Sequence, residues 1–148
     1  MIKGIIFDFN RTVYDPEKDE LSEGILELLE ELVTKNYKLV LISKNKGGNR
    51  REQIAQLGLN KYFLEVQVHE RDKIEDDFNQ ALKVMDLKPE EVLVVGDRVV
   101  GEIYLGNKLG MKTVWYQVGR FASQFPSNDG EKPDYIIKKL VQILDFLK

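Results

Sequence analysis

The sequence contains no cysteine, which excludes disulfides, thiolate zinc sites and cysteine nucleophiles. It has one histidine, His69, which argues against a multi-histidine metal centre and a Ser-His-Asp triad. No apolar run approaches the ~20 residues that a membrane-spanning helix needs. The N-terminal MIKGIIFDFN is briefly apolar but runs straight into charged sequence without a small-residue cleavage site. It reads as a strand, not a signal peptide, and a cytoplasmic protein with no membrane partner is expected. An excess of positive charge is also missing. Lys and Arg number 22 against 25 Asp and Glu, a net charge of -3, so whole-molecule attraction to nucleic acid is disfavoured.

What is present is enough for one domain with a sizeable core: 148 residues, 43% of them hydrophobic. Apolar runs alternate with amphipathic stretches. Lys3 to Asp8, Lys38 to Ser43, Glu91 to Val95 and Lys112 to Tyr116 read as strands buried on both faces, and Tyr62 to Val68 as a weaker one. Helical spacing predicts helices over Leu21 to Lys35 (with Ser22 as a cap), Arg50 to Leu57, Lys73 to Met85, Val99 to Leu109 and Lys138 to Leu147. Asp134 to Ile137 is a candidate edge strand, and Gln117 to Pro133 an irregular, potentially functional loop. The β-α-β-α order implies an α/β fold: a three-layer, Rossmann-like parallel sheet of five or six strands with helices on both faces. The whole span, residues 1 to 148, reads as a single domain without a cap domain.

Ligands of such sheets bind beyond the carboxyl ends of the strands. The residues there are Asp8 and Asn10, Ser43, and Asp97. A carboxylate at Asp8 is a metal ligand, a nucleophile or a helix cap; a second at Asp97 in the same strand-end position favours a site. Two carboxylates and a backbone carbonyl make a hard oxygen set suited to Mg2+. Arg11, Lys44, Lys46, Arg50, Arg51 and Arg98 are candidates for a basic rim facing an anionic substrate, with a solvated surface as the alternative. His69, near the end of the third strand, could touch substrate, with a surface or structural role the favoured reading. Trp115, Tyr116 and Phe121 offer an oligomer contact or a substrate wall, with core packing the alternative for Trp115.

At these residues the sequence resembles the haloacid dehalogenase-like superfamily. GIIFDFNRTV is similar to its first motif, D-x-D-x-T/V, with Asp8, Asn10 and Thr12 in the matching places. LVLIS, ending in Ser43, resembles the second motif. EVLVVGDRVVGEI resembles the fourth, with Asp97 and, in place of a second Asp, Glu102. Lys73, ahead of IEDDFNQAL, is the best match for the third-motif lysine. The resemblance covers about residues 3 to 116. It implies a phosphohydrolase in which Asp8 forms an aspartyl-phosphate, Ser43 hydrogen-bonds the phosphoryl oxygens and Lys73 neutralises charge. Mg2+ would be held by Asp8, the Asn10 carbonyl and Asp97, with Glu102 ordering its water shell. Thr12 would support the loop, and Lys44 and Asn45 would lie against substrate. The short segments between motifs imply an open site, hence a phosphorylated substrate of large or macromolecular kind, or closure by a second copy in a homo-oligomer.

One departure matters. The second Asp of the first motif is the family's general acid and base; here it is Asn10, whose amide cannot exchange a proton in this range. Three readings follow: a slow phosphatase, a dehalogenase-type hydrolase, or a non-catalytic phosphate- or metal-binding protein of regulatory or assembly function. The first is favoured.

Overall fold

The computed structural model describes residues 1–147. Six strands form one sheet in the order β5-β4-β1-β6-β7-β8: β1 (Gly4–Asp8), β4 (Lys38–Lys44), β5 (Glu65–His69), β6 (Val92–Gly96), β7 (Lys112–Tyr116) and β8 (Tyr135–Ile137). Every pairing in it is parallel. The remaining two strands, β2 (Tyr14–Asp15) and β3 (Glu20–Leu21), make a small antiparallel ribbon after β1.

The alternation of side chains along each strand builds the two faces. Ile5, Phe7, Leu39, Leu41, Leu93 and Val95 join one cluster with Leu28, Leu29 and Leu32 of α1 (Ile25–Thr34) and Ile54 of α2 (Arg50–Gln56). Ile6, Val40, Ile42, Val92 and Val94 join the other with Phe78, Ala81 and Met85 of α3 (Glu75–Met85). The uniformly apolar strands are therefore covered on both sides, which is the expected three-layer architecture. Among the described residues, no helix is long and apolar enough to cross a membrane.

Several element boundaries differ from the sequence expectation: β5 begins only at Glu65, with Tyr62 in a 3-10 turn, and α3 begins at Glu75, with Lys73 in the loop before it. Leu21 shares the helical phase of Ile25 and Leu28, but it pairs with Tyr14 in the ribbon, and α1 starts only after Gly24, whose φ of 80° turns the chain. Ser22 makes no cap; its backbone N–H donates to the Val13 carbonyl. The expected helix over Val99 to Leu109 divides into a π-helical turn, Val99–Ile103, and a short α4, Tyr104–Leu109. The C-terminal segment is not α-helical: Leu140–Phe146 is a 3-10 helix. Leu140 and Ile143 are both buried, and a spacing of three suits a threefold turn.

Candidate active site

The carboxyl ends of β1, β4 and β6 meet at one edge of the sheet, because β1 lies between the other two. Asp8 is the last residue of β1, and Asp97 directly follows Gly96 at the end of β6. Glu102 enters from the π-helical turn. A Cβ on Gly96 would lie 2.7 Å from Glu102 Oε2, so a residue without a side chain is what lets this carboxylate close on the strand end. Asp8, Asp97 and Glu102 each offer one oxygen, and these oxygens all lie within 4.8 Å of one another.

Lys73 is the cation of the cluster. Its Nζ lies 2.5 Å from Asp8 Oδ1 and 2.7 Å from Glu102 Oε1, with the side chain only 6% exposed. The loop that carries it is pinned from both sides. Arg71 donates a bidentate fork to Asp77 at 2.9 Å through each nitrogen, and Asp77 also accepts from the Ile74 backbone N–H. His69 Nε2 lies 3.2 Å from the same carboxylate, the structural role expected of it. Burial works against ionisation of Asp77, but the Arg71 fork and the Ile74 N–H outweigh it and hold its pKa below the usual range.

Three carboxylates around one lysine leave uncompensated negative charge. Burial, then the charges of Asp8 and Glu102, push the Asp97 carboxyl up to about 8. Burial and the Asp8 charge likewise raise Glu102, with Lys73 opposing them. Burial pulls the Lys73 ammonium down, yet the charges of Asp8 and Glu102 and their hydrogen bonds prevail and raise it. Asp97 Oδ2 and Glu102 Oε2 are buried and lack a hydrogen-bond partner. Orphaned, close-set carboxylate oxygens of this kind fit a hard divalent cation, which prefers oxygen ligands and stabilises the ionised form of each.

The cluster opens into a cleft of about 690 Å³, lined among others by Asp8, Asn10, Lys44, Lys73, Asp97 and Glu102. Lys44 lies 2.5 Å from Asp72. The remaining expected residues stand apart from its walls. Ser43 is fully buried, and its Oγ accepts from Arg50 Nη1 at 2.5 Å. Thr12 is fully buried with a hydroxyl that has no partner. Asn45 sits next to Gly48, and neither lines the cleft.

Of the expected basic rim, Arg11, Lys44 and Arg98 line the cleft, while Lys46 and Arg51 are exposed elsewhere. Arg50 is a correction: it is only 7% exposed and belongs beneath the rim. Its Cζ stacks 4.4 Å from the centroid of Phe9, and its guanidinium also donates to Gln53. Burial lowers its pKa and the nearby Asp8 raises it. Nothing in the sequence separates this arginine from its exposed neighbour Arg51. Trp115 is a core residue whose indole donates to the Asp97 carbonyl at 2.9 Å, and so fixes the backbone at the site. Phe121 lines the cleft together with Arg120, which the sequence reading missed.

The sequence matches the haloacid dehalogenase-like hydrolase family over residues 2–116. The chain belongs to that family. It is 32% identical over 129 residues to glyceraldehyde 3-phosphate phosphatase of Pyrococcus furiosus, covering 84% of this chain and 53% of that one. It is 27% identical over 113 residues to the probable phosphatase YqeG of Bacillus subtilis, covering 76% and 63%. The chain thus spans about half to two thirds of the length of these relatives. In fold it superposes on the magnesium-bound putative hydrolase YfnB of Bacillus subtilis with a TM-score of 0.83 at 14% identity, covering 99% of each chain.

Proposed function

We propose that this protein is a Mg2+-dependent phosphatase that works through an aspartyl-phosphate on Asp8 and is slow because residue 10 is asparagine. The observation that carries the reading is the Asp8–Lys73–Asp97–Glu102 cluster at the floor of an accessible cleft. The phosphatase names of the sequence relatives support it.

In this reading Asp8 attacks the phosphorus of a bound monoester. An Asp8 O–P bond forms, the P–O bond to the alcohol breaks, and its electron pair leaves on the alkoxide. Water then cleaves the acyl phosphate, restoring Asp8 and releasing inorganic phosphate. Lys73 holds Asp8 in place through their ion pair and offsets charge on the incoming phosphoryl group. Ser43 Oγ accepts a hydrogen bond from Arg50 beneath the cleft, where the pair would support the floor on which the phosphoryl group rests. Asp8, Asp97 and the Asn10 carbonyl would hold Mg2+, with Glu102 behind them. When bound, the ion supplies positive charge against the repulsion between carboxylates and phosphate.

Wild-type protein is expected to hydrolyse p-nitrophenyl phosphate only with Mg2+, and Asp8→Asn to show no turnover. Equal rates for the two proteins would sink the proposal.

The charge state of Asp97 yields a second expectation. Its folded pKa of about 8 lies above the ordinary 3.8, so between these values the folded state binds more protons than the unfolded one. Metal-free protein should then lose stability as pH rises from about 4 to 8. Mg2+ competes with that proton, so the melting-temperature gain on adding Mg2+ should be larger at pH 8 than at pH 6. Calorimetric scans at both pH values check this; a gain independent of pH would mean that Asp97 is not a ligand.

A further inference from the structure

Three guanidinium groups converge on one ring in the cleft. The Cζ atoms of Arg98, Arg11 and Arg120 lie 4.3, 5.1 and 5.3 Å from the centroid of Phe121, and all four residues line the cleft that holds Asp8. They come from three separate loops. Arg11 follows β1 with a left-handed φ of 61°, Arg98 follows Asp97 after β6, and Arg120 and Phe121 form the 3-10 turn Gly119–Phe121 after β7. Like charges gathered this closely repel.

The surrounding carboxylates do not restore the balance. Asp8 and Glu102 are engaged by Lys73, and Asp72 by Lys44. Glu17 approaches Arg11 at 3.5 Å from an exposed position. Lys44 and, to a minor extent, Arg98 hold the Asp72 carboxyl down, and Arg11 only partly opposes the burial-driven rise of Asp97. Among the described residues, neither Arg98 nor Arg120 has an ion-pair partner within 4.0 Å. The Nε atoms of Arg11 and Arg98 are buried and make no hydrogen bond. Planar donors with unused N–H groups, stacked on an aromatic face, are suited to a carboxylate or phosphate.

We propose that Arg11, Arg98 and Arg120, gathered on Phe121, form a second anion subsite, so that the substrate carries a carboxylate or phosphate in addition to the phosphoryl group at Asp8. This rests on the phosphatase reading of the Asp8 cluster. The scissile phosphoryl has its own cation there in Lys73, and a Mg2+ held by Asp8 and Asp97 would supply another. The arginines are surplus to that need, and they answer a second negative group at the far end of a small molecule.

Calorimetric binding of ω-phosphonoalkanoates of graded length, against alkylphosphonates of equal length, tests this in the presence of Mg2+. Wild type should prefer the carboxylate-terminated ligand by about tenfold or more at one chain length, as one or two charge-assisted hydrogen bonds provide. The preference should shrink as ionic strength rises. The double variant R98M/R120M should lose it to within about twofold, and R98K/R120K should keep part of it, because lysine retains the charge without the planar fork. Equal binding of both ligand types by wild type at every length overturns the subsite. So does an equal weakening of both in R98M/R120M, which would assign the arginines to the phosphoryl group itself. Phosphonates are not hydrolysed, so the two readings fail separately. Turnover of p-nitrophenyl phosphate without a carboxylate preference overturns the subsite alone. A carboxylate preference without turnover overturns the phosphatase reading alone.

Discussion

Asn10→Asp is expected to raise the rate of hydrolysis of poor-leaving-group phosphate esters by about 10²–10⁴-fold, the usual worth of a positioned general acid and base. Asn10 lines the cleft beside Asp8, so a carboxyl at this place faces the reacting groups. The gain should depend on the leaving group. A p-nitrophenolate departs without a proton, so the first step with that ester gains little. Hydrolysis of the aspartyl-phosphate has no base in the wild type and should gain in both cases. Wild type is therefore expected to release p-nitrophenol in a burst matching the enzyme concentration, followed by a slow phase. Stopped-flow absorbance of the two proteins shows this; an Asn10→Asp variant no faster than wild type with any ester would mean that something other than the missing acid limits the reaction.

Lys73→Met carries the other large effect. Its ammonium is buried between two carboxylates, and removing one partner of a buried ion pair typically costs about 3–5 kcal/mol. In a domain of this size that corresponds to a fall in melting temperature of roughly 10 °C. Turnover should fall at least as steeply, because the cation that holds Asp8 and offsets the phosphoryl charge is then gone. Mg2+ should recover part of the stability by replacing the lost positive charge, and none of the full rate. A Lys73→Met protein that melts within 2 °C of wild type (roughly 1 kcal/mol or less) and keeps its turnover would remove Lys73 from the site.

The fold was legible because the strands are apolar on both faces. GIIFD, KLVLIS and VLVVG admit little other than a sheet covered twice, and the polar residue ending each run marks the edge where a ligand sits. Asp8 and Asp97 follow directly from that rule. Lys73 needed the family resemblance, because one lysine before a helix resembles many others. The structure gives it a physical basis in the Arg71–Asp77 fork, which fixes its loop.

Other features were hidden for reasons of tertiary context. Leu21 kept helical phase but was captured by a two-residue ribbon. Arg50 carries no sequence mark of burial; its place depends on the Phe9 ring, distant from it along the chain, and on the Ser43 hydroxyl across the loop that follows β4. The arginine trio joins residues 11, 98 and 120 through one phenylalanine. No local pattern records a meeting of three loops.

The central claim is that phosphorus becomes bonded to Asp8. Without a base at position 10 the acyl phosphate should persist long enough to be trapped. Wild-type protein quenched during turnover with Mg2+ and p-nitrophenyl phosphate, then reduced with borohydride, should contain homoserine at position 8 by peptide mass spectrometry, and the omission of Mg2+ should abolish it. Sustained turnover with residue 8 unmodified, or a reduced residue elsewhere in the chain, would contradict the mechanism.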